Sequence, residues 1–113
     1  MKLLNPGDLR HRLELQEQQA IVSPEGEHLG TQWVTVAKVW GNVQALSAKE
    51  LVEAQAMQSE VVARITIRAR HILPTWRILH RGTVYNIAGI VPDPNSGIEW
   101  MTLPVSAGMN DGT

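Results

Sequence analysis

The chain has 113 residues, of which 43% are apolar, so it suits one folded domain with a modest hydrophobic core. Its formal net charge of -1 argues against a general nucleic-acid or membrane-surface binder, because such proteins carry a clear basic excess. Cysteine is absent, which excludes disulfides, cysteine-ligated zinc and thiol nucleophiles. No apolar run approaches the ~20 residues of a membrane span. We expect one domain over residues 1–113 with flexible ends at 1–6 and 107–113.

The first part of the chain predicts two strands separated by a long loop. Leucines alternate with polar residues over about 9–16, which is the pattern of a half-buried strand. Residues 17–32 are rich in Glu, Gln, Ser, Pro and Gly and predict a polar loop, either a binding segment or an ordinary disordered tip. The run 33–46 has apolar residues on both faces, so we expect one face to be covered by another element or by a partner. Gly41 within this run indicates a bend or bulge.

A short helix and further strands follow. Ser47 and Glu50 match a capping box, and apolar residues at helical spacing extend the predicted helix over about 48–57. The clearest alternation of the chain, over 61–70, predicts a strand. A hairpin with its turn at 81–83 is predicted next. A turn cluster at 92–97 precedes a last strand from about residue 98 to residue 105.

These elements predict a mainly β fold. About six strands follow one another with short connections, which favours antiparallel pairing. A half-apolar sheet of this length must close on itself or stack on another sheet, and we favour a small antiparallel β-barrel with one inserted helix. Trp76 is unusual in this scheme, because it lies in a connection that should be more polar.

The residues that could carry chemistry do not form a catalytic constellation, so we predict that the chain is not an enzyme. The four histidines lack the spacing of a metal clamp. His28, near Glu25 and Glu27, is better explained as a solvated loop residue than as a weak metal ligand. Glu50 and Glu53 share the outer face of the helix, where nothing apolar would shift a pKa. We expect no metal and no cofactor.

Arginines are the more informative feature. Arg64, Arg68 and Arg70 alternate along one predicted strand, with two further arginines soon after it. Three explanations stay open: a solvated face that prevents edge-to-edge aggregation, salt bridges across a subunit interface, or contact with a nucleic-acid backbone. The third explanation allows an alternative function, an oligonucleotide-binding β-barrel with a tryptophan as stacking platform.

An ordered series of segments resembles the phage head–tail joining family, also called head-closure proteins, over about residues 7–105. No single motif is specific, and the order and spacing of the series carry the resemblance. The segments that match are Gly7-Asp8-Leu9-Arg10-His11-Arg12, the polar loop ending near Gly30 and Trp33, Val36 with Trp40 and Val43 before Ser47-Ala48-Lys49-Glu50, Arg64-Ile65-Thr66-Ile67-Arg68, Trp76-Arg77-Ile78, and Arg81-Gly82-Thr83-Val84-Tyr85-Asn86-Ile87 before Val91-Pro92-Asp93.

The resemblance implies a structural virion protein of a tailed phage, assembled in the bacterial host cytoplasm. Copies would form a homo-oligomeric ring with the twelvefold symmetry of the portal. The portal or adaptor protein would lie above this ring and a tail-completion or tail-tube protein below it. The ring would keep the DNA in the head, touch passing DNA without sequence specificity, and provide the platform for the tail.

The resemblance also implies two groups of candidate functional residues. Some relatives project a loop into the channel, and either 17–32 or 46–60 could do so here. The candidate plug or contact residues are Glu25, Gly26, Glu27, Glu50 and Glu53. The candidate interface or DNA-channel residues are Arg64, Arg68, Arg70, Arg10 and Arg12.

Overall fold

A computed structural model of the chain describes residues 9–92 and 99–108. Within these residues seven strands and one helix follow one another along the chain. They are β1 (His11–Val22), β2 (His28–Ala45), α1 (Ala48–Ala56), β3 (Val61–Arg68), β4 (Arg77–His80), β5 (Thr83–Ile87), β6 (Val91–Pro92) and β7 (Trp100–Ala107). None of the described helical residues forms a segment long and apolar enough to span a membrane.

Six of the strands form a closed ring. The strand order is β3-β2-β1-β4-β5-β7-β6, and β3 also pairs with β7, which closes the ring and leaves β6 at its margin. Every pairing is antiparallel. The predicted mainly β fold, with about six antiparallel strands and one short inserted helix, is confirmed.

Alternating side chains from these strands fill the inside of the ring. Each strand directs every second residue inward, as strand geometry requires. Residues that are wholly inaccessible to solvent come from four of the six strands: Leu13 and Leu15, Ile65 and Ile67, Ile78, Leu103 and Val105, with Ala37, Val39 and Val43 of β2 packed against them.

Gly41 has a packing role, and the strand register at Gly41 is regular, so the glycine does not form the bulge that was one of the two predicted possibilities. A Cβ at Gly41 would lie 2.5 Å from Leu13 Cδ1 and 3.0 Å from Ile67 Cγ2, so the glycine lets the three strands approach closely. Strand β2 is irregular instead at Leu29, which has no partner between the pairs Ile21–Gly30 and Val22–His28, and at Val36. Leu15 pairs with Ala37 and Gln16 with Thr35, which leaves Val36 as a bulge.

The predicted loop over 17–32 is wrong. Strand β1 continues to Val22 and β2 begins at His28, so only residues 23–27 form a turn. Beyond the pair Gln16–Thr35 these strands bond only to each other, since β4 pairs with residues 14–16 and β3 with residues 41–45. Residues 17–34 therefore project from the ring as a two-stranded hairpin, which we call the arm.

Helix α1 lies where the sequence predicted it, between β2 and β3. Both hydrogen bonds of the capping box are present: Ser47 Oγ accepts from the Glu50 backbone N–H, and the Glu50 carboxylate accepts from the Ser47 N–H. The helix ends at Ala56, with Met57 as its C-cap. None of its residues is buried, so capping and not packing defines this helix.

The predicted hairpin at 81–83 is confirmed as β4 and β5, joined by Arg81 and Gly82, both with positive φ. The predicted turn cluster at 92–97, apart from Pro92, lies outside the described residues, as do the ends at 1–6 and 109–113. The first two residues of the end that was expected to be flexible belong to the described structure. Ala107 pairs with Tyr85 in β7, and the N–H of Gly108 donates to the carbonyl of Val84 at 2.8 Å.

Candidate functional site

The base of the arm is held to the ring by a chain of polar contacts. Arg77 Nε donates to Gln16 Oε1 at 2.8 Å, and Gln16 Nε2 donates to Thr35 Oγ1 at 3.1 Å. The Thr35 hydroxyl donates to Glu14 at 3.2 Å. The Arg77 guanidinium also lies 4.3 Å from the centroid of the Trp33 ring, a cation–π contact. These contacts fix the direction in which the arm leaves the ring.

The tip of the arm is a defined turn and not a disordered loop. The Ser23 N–H donates to the Glu27 carbonyl at 2.8 Å, and Gly26 N–H donates to the Ser23 carbonyl at 2.9 Å. Ser23 Oγ accepts from the Glu27 N–H at 2.9 Å. Gly26 has a φ of 89°, a conformation that favours glycine. The turn therefore presents the side chains of Glu25 and Glu27 to solvent at the far end of the arm.

The arm exposes apolar side chains as well as acids. Val22 and Leu29 are 57% and 59% exposed, and Ile21 lies beside them at 36%. A projecting two-stranded hairpin gains little stability from its own packing. Exposed aliphatic side chains on such an element are typical of a surface that becomes buried in an assembly.

Helix α1 is attached to the ring by one ion pair. The Arg64 guanidinium donates to the Glu50 carboxylate, and together with the capping bonds this contact lowers the pKa of Glu50. Beside this ion pair an open groove runs between the helix and β3, lined by Leu46, Glu53, Ala54 and Met57. Val52 and Met57 are largely exposed. The helix thus presents an apolar surface with no partner among the described residues.

A row of alternating arginines and tryptophans crosses four strands on the outer face of the ring. Arg12 pairs with Trp40 across β1 and β2, and Arg68 pairs with Trp100 across β3 and β7. Gly41 pairs with Ile67, so Trp40 and Arg68 are neighbours at the end of that ladder. The guanidinium of Arg12 lies 5.1 Å from the Trp40 ring centroid, and that of Arg68 lies 5.3 Å from the Trp100 ring centroid. We call these four residues the Arg–Trp row.

The row remains open to solvent. Trp40 is 53% exposed, and both arginines are exposed. Guanidinium groups that lie over indole rings keep their N–H edges available for carboxylates or phosphates. The row therefore combines a large aromatic surface with fixed hydrogen-bond donors.

The predicted candidate residues fall in three separate places. Glu25, Gly26 and Glu27 form the tip of the arm, whereas Glu50 and Glu53 lie on α1. The predicted arginine set is divided: Arg64 is paired with Glu50, while Arg68 lies at the other end of β3 in the Arg–Trp row. Arg12 belongs to the row. Arg10 precedes β1, and Arg70 lies just beyond β3, where its Nε donates to the His71 carbonyl at 3.2 Å.

Sequence reasoning missed the tryptophans of the row. The sequence contained one signal for them. Trp40 lies on the face of β2 opposite the core, and a large apolar side chain on an outer face indicates a contact surface. Its neighbours Arg12 and Arg68 become visible only once the strand register is known.

No metal centre is present in the described part of the chain. Within residues 9–92 and 99–108, no three His, Asp or Glu side chains come together in a way that could hold an ion.

Comparison with known proteins identifies one family, and solved structures with a similar fold are also found. The sequence pattern of the phage head completion proteins matches residues 4–108. The solution structure of protein SF1141 from Shigella flexneri 2a has a TM-score of 0.70 at 28% identity, and the match covers 96% of this chain and 100% of that one. A chain of the virion of a native gene transfer agent particle has a TM-score of 0.58 at 19% identity, covering 88% of this chain and 97% of that one.

No curated protein matches the chain. The second structural match supports the fold alone, because its identity is low. The family match spans nearly the whole chain and agrees with the resemblance seen in the sequence. It points to a structural role in a phage particle and not to an enzyme. The chain belongs to the phage head completion protein family.

Proposed function

We propose that this protein is a structural component of the head–tail junction of a tailed phage. Copies form a ring beneath the portal or its adaptor, close the DNA-filled head and offer the platform to which the tail attaches. The observation that carries this proposal is the arm. The arm is a projecting hairpin with exposed aliphatic and acidic side chains, and among the described residues its strands pair only with each other beyond Gln16 and Thr35. Such an element is built to be covered by other chains.

Helix α1, which follows the end of β2 remote from the arm, supports the same proposal. Helix α1 is defined by its cap and one ion pair, buries none of its residues and leaves an open groove against β3. A short helix with so little packing is marginal alone and would be stabilised by docking against a partner. Arm and helix together give the subunit two distinct surfaces for assembly, as a ring subunit that must also bind chains above and below requires.

Loss of the protein in the phage tests this proposal. A nonsense mutation in its gene should give particles that package DNA but fail to retain it, so that heads lacking DNA and free tails accumulate. Electron microscopy and nuclease protection of packaged DNA measure both effects, and a plasmid-borne copy should restore them. Mutant particles that keep their DNA and carry tails would refute the proposal.

A second candidate function, oligonucleotide binding, is favoured by the Arg–Trp row. Exposed tryptophan beside arginine is a surface on which bases can stack while the guanidinium contacts phosphate. Binding of this kind would weaken steeply with salt and would be lost in Trp40→Ala. Fluorescence titration of a labelled single-stranded oligonucleotide at low salt checks it, with the wild type and Trp40→Ala compared under the same conditions. Absence of binding at low salt removes this candidate.

A further inference from the structure

Charges of opposite sign lie at opposite ends of the molecule, although the formal net charge is only -1. The arm, residues 17–34, contains three glutamates and no lysine or arginine. Positive charge predominates at the other end of the ring, around the Arg–Trp row, where five arginines lie with one glutamate of the described residues, Glu99. The arginines are Arg10, Arg12, Arg68, Arg70 and Arg81. Two of them, Arg81 and Arg10, are near His11 and lower its pKa, after burial and His80.

The two ends are also far apart. From Trp40 back to its first residue, His28, strand β2 runs for 12 residues, which corresponds to about 40 Å at strand geometry, and Glu27 lies one residue beyond. The longest dimension of the molecule is 55 Å. The tip of the arm therefore cannot reach the Arg–Trp row of its own chain.

The arm and the Arg–Trp row each combine charged groups with exposed apolar side chains. The arm combines carboxylates at Glu25 and Glu27 with aliphatic side chains at Val22 and Leu29. The row combines guanidinium groups with the exposed ring of Trp40. Carboxylates suit the planar fork of arginine, and aliphatic side chains suit an aromatic face, so the two surfaces are complementary in charge and in polarity.

We propose that the arm of one copy docks on the Arg–Trp row of the next copy, and that this contact joins the subunits head to tail. Contacts between two different surfaces of the same chain propagate from copy to copy and close into a ring when the rotation allows it. The inference rests on the proposed ring and names the interface that would build it. It also gives a reason for the segregated charge, since opposite ends attract each other during association.

Site-directed cross-linking tests the contact directly, because the chain has no native cysteine. One population carries Pro24→Cys at the tip of the arm, and another carries Asn42→Cys, which lies on the outer face beside Trp40. A short bismaleimide should join these two peptides, as mass spectrometry would identify. Gln55→Cys on helix α1, used in place of Asn42→Cys, is the matched control and should give little product. Equal yields for the pair and the control would overturn the proposal.

Charge reversal provides the second test with the same readout. Glu25→Lys/Glu27→Lys in the arm population, or Arg12→Glu/Arg68→Glu in the row population, should each lower the cross-linked yield on the order of tenfold, as reversal of two exposed charge pairs implies. Combining both reversed populations should restore the yield, because the reversed arm then faces a reversed row. Failure of this rescue, with both variants folded by circular dichroism, would contradict the contact.

The outcomes separate this inference from the proposed function. Normal DNA retention in particles lacking the protein would refute the function and leave the cross-link unaffected. Loss of DNA in such particles, together with no arm-to-row product, would refute the contact and leave the function in place. If the wild type binds single-stranded oligonucleotide and only the row variant loses DNA retention, the row contacts nucleic acid. That outcome would overturn the proposal.

Discussion

Trp76 is a buried core residue whose indole N–H has no hydrogen-bond partner within the described structure. The side chain is 7% exposed, and its ring makes an edge-to-face contact with His71 at 5.9 Å between centroids. The sequence placed this tryptophan in a connection that should be polar. In the structure, the side chains of Trp76 and Ile72 in this connection both belong to the hydrophobic core of the six-stranded ring. An unsatisfied buried donor reduces the stability that the large ring contributes.

This arrangement predicts different results for two substitutions of Trp76. Trp76→Ala should lower the free energy of unfolding by about 3–5 kcal/mol, since it removes a large buried ring. Trp76→Phe should cost less than about 1.5 kcal/mol, because it retains most of the aromatic packing and removes the unpartnered N–H. Urea denaturation of both variants checks this. A cost for Trp76→Phe as large as that for Trp76→Ala would show that the N–H has a partner.

His11 gives the stability of the fold a dependence on pH. Its Nδ1 accepts from the Val43 N–H at 3.1 Å, and its ring lies 5.0 Å from that of His80. Burial and then the nearby charges of His80, Arg81 and Arg10 lower the pKa of His11 below 6.5. The unfolded chain therefore binds a proton more readily than the folded chain does, and this contribution to stability, complete above pH 6.5, decreases as pH falls.

We predict that the free energy of unfolding falls as pH is lowered from 7.5 through about 6.5. The decrease should continue until the lowered pKa of His11 in the folded protein is passed. His11→Gln should flatten this dependence, with His28→Gln in the exposed arm as the matched control variant. Denaturation across this pH range gives the slopes, and an equally steep slope in His11→Gln would show that another group is responsible.

At the scale of elements, the sequence predicted strands best where one face is buried. The alternation over 9–16 and 61–70 arises because inward residues such as Leu13 and Ile65 enter the core while their neighbours meet solvent. The helix was predictable because its capping box is a local signal. The arm was not predictable, since both faces of residues 18–22 and 28–32 are largely solvated and no alternation marks them as strands.

The arm should be dispensable for folding and required for assembly. Replacement of residues 19–32 by an Asn-Gly turn leaves the partners Gln18 and Trp33 on either side of the turn and removes a segment that contributes nothing to the buried core. Tm should therefore change by less than about 6 °C. The same variant should fail to restore DNA retention to particles that lack the protein. Differential scanning calorimetry and complementation measure the two effects. Full complementation by the shortened protein would show that the arm is not required for assembly.

At the scale of the whole molecule, the candidate surfaces depend on relations that no single segment contains. The Arg–Trp row takes its four residues from four strands, and its order is set by the pairings of Arg12 with Trp40 and of Arg68 with Trp100. Arg64, which shares the face of β3 with Arg68 in the sequence pattern, is engaged instead by Glu50 of the inserted helix. Composition predicted the exclusion of strongly basic binders, but a net charge near zero concealed an acidic arm and an arginine-rich end.

Localisation of the protein within the phage particle tests the central claim most directly. A cryo-electron microscopy reconstruction focused on the head–tail junction should show copies of this six-stranded ring fold arranged around the channel between the portal and the tail, with the arm of each covered by a neighbouring chain. Mass spectrometry of the purified particles should identify the same protein. Its absence from purified particles, or its presence only in assembly intermediates, would contradict a structural role at the junction.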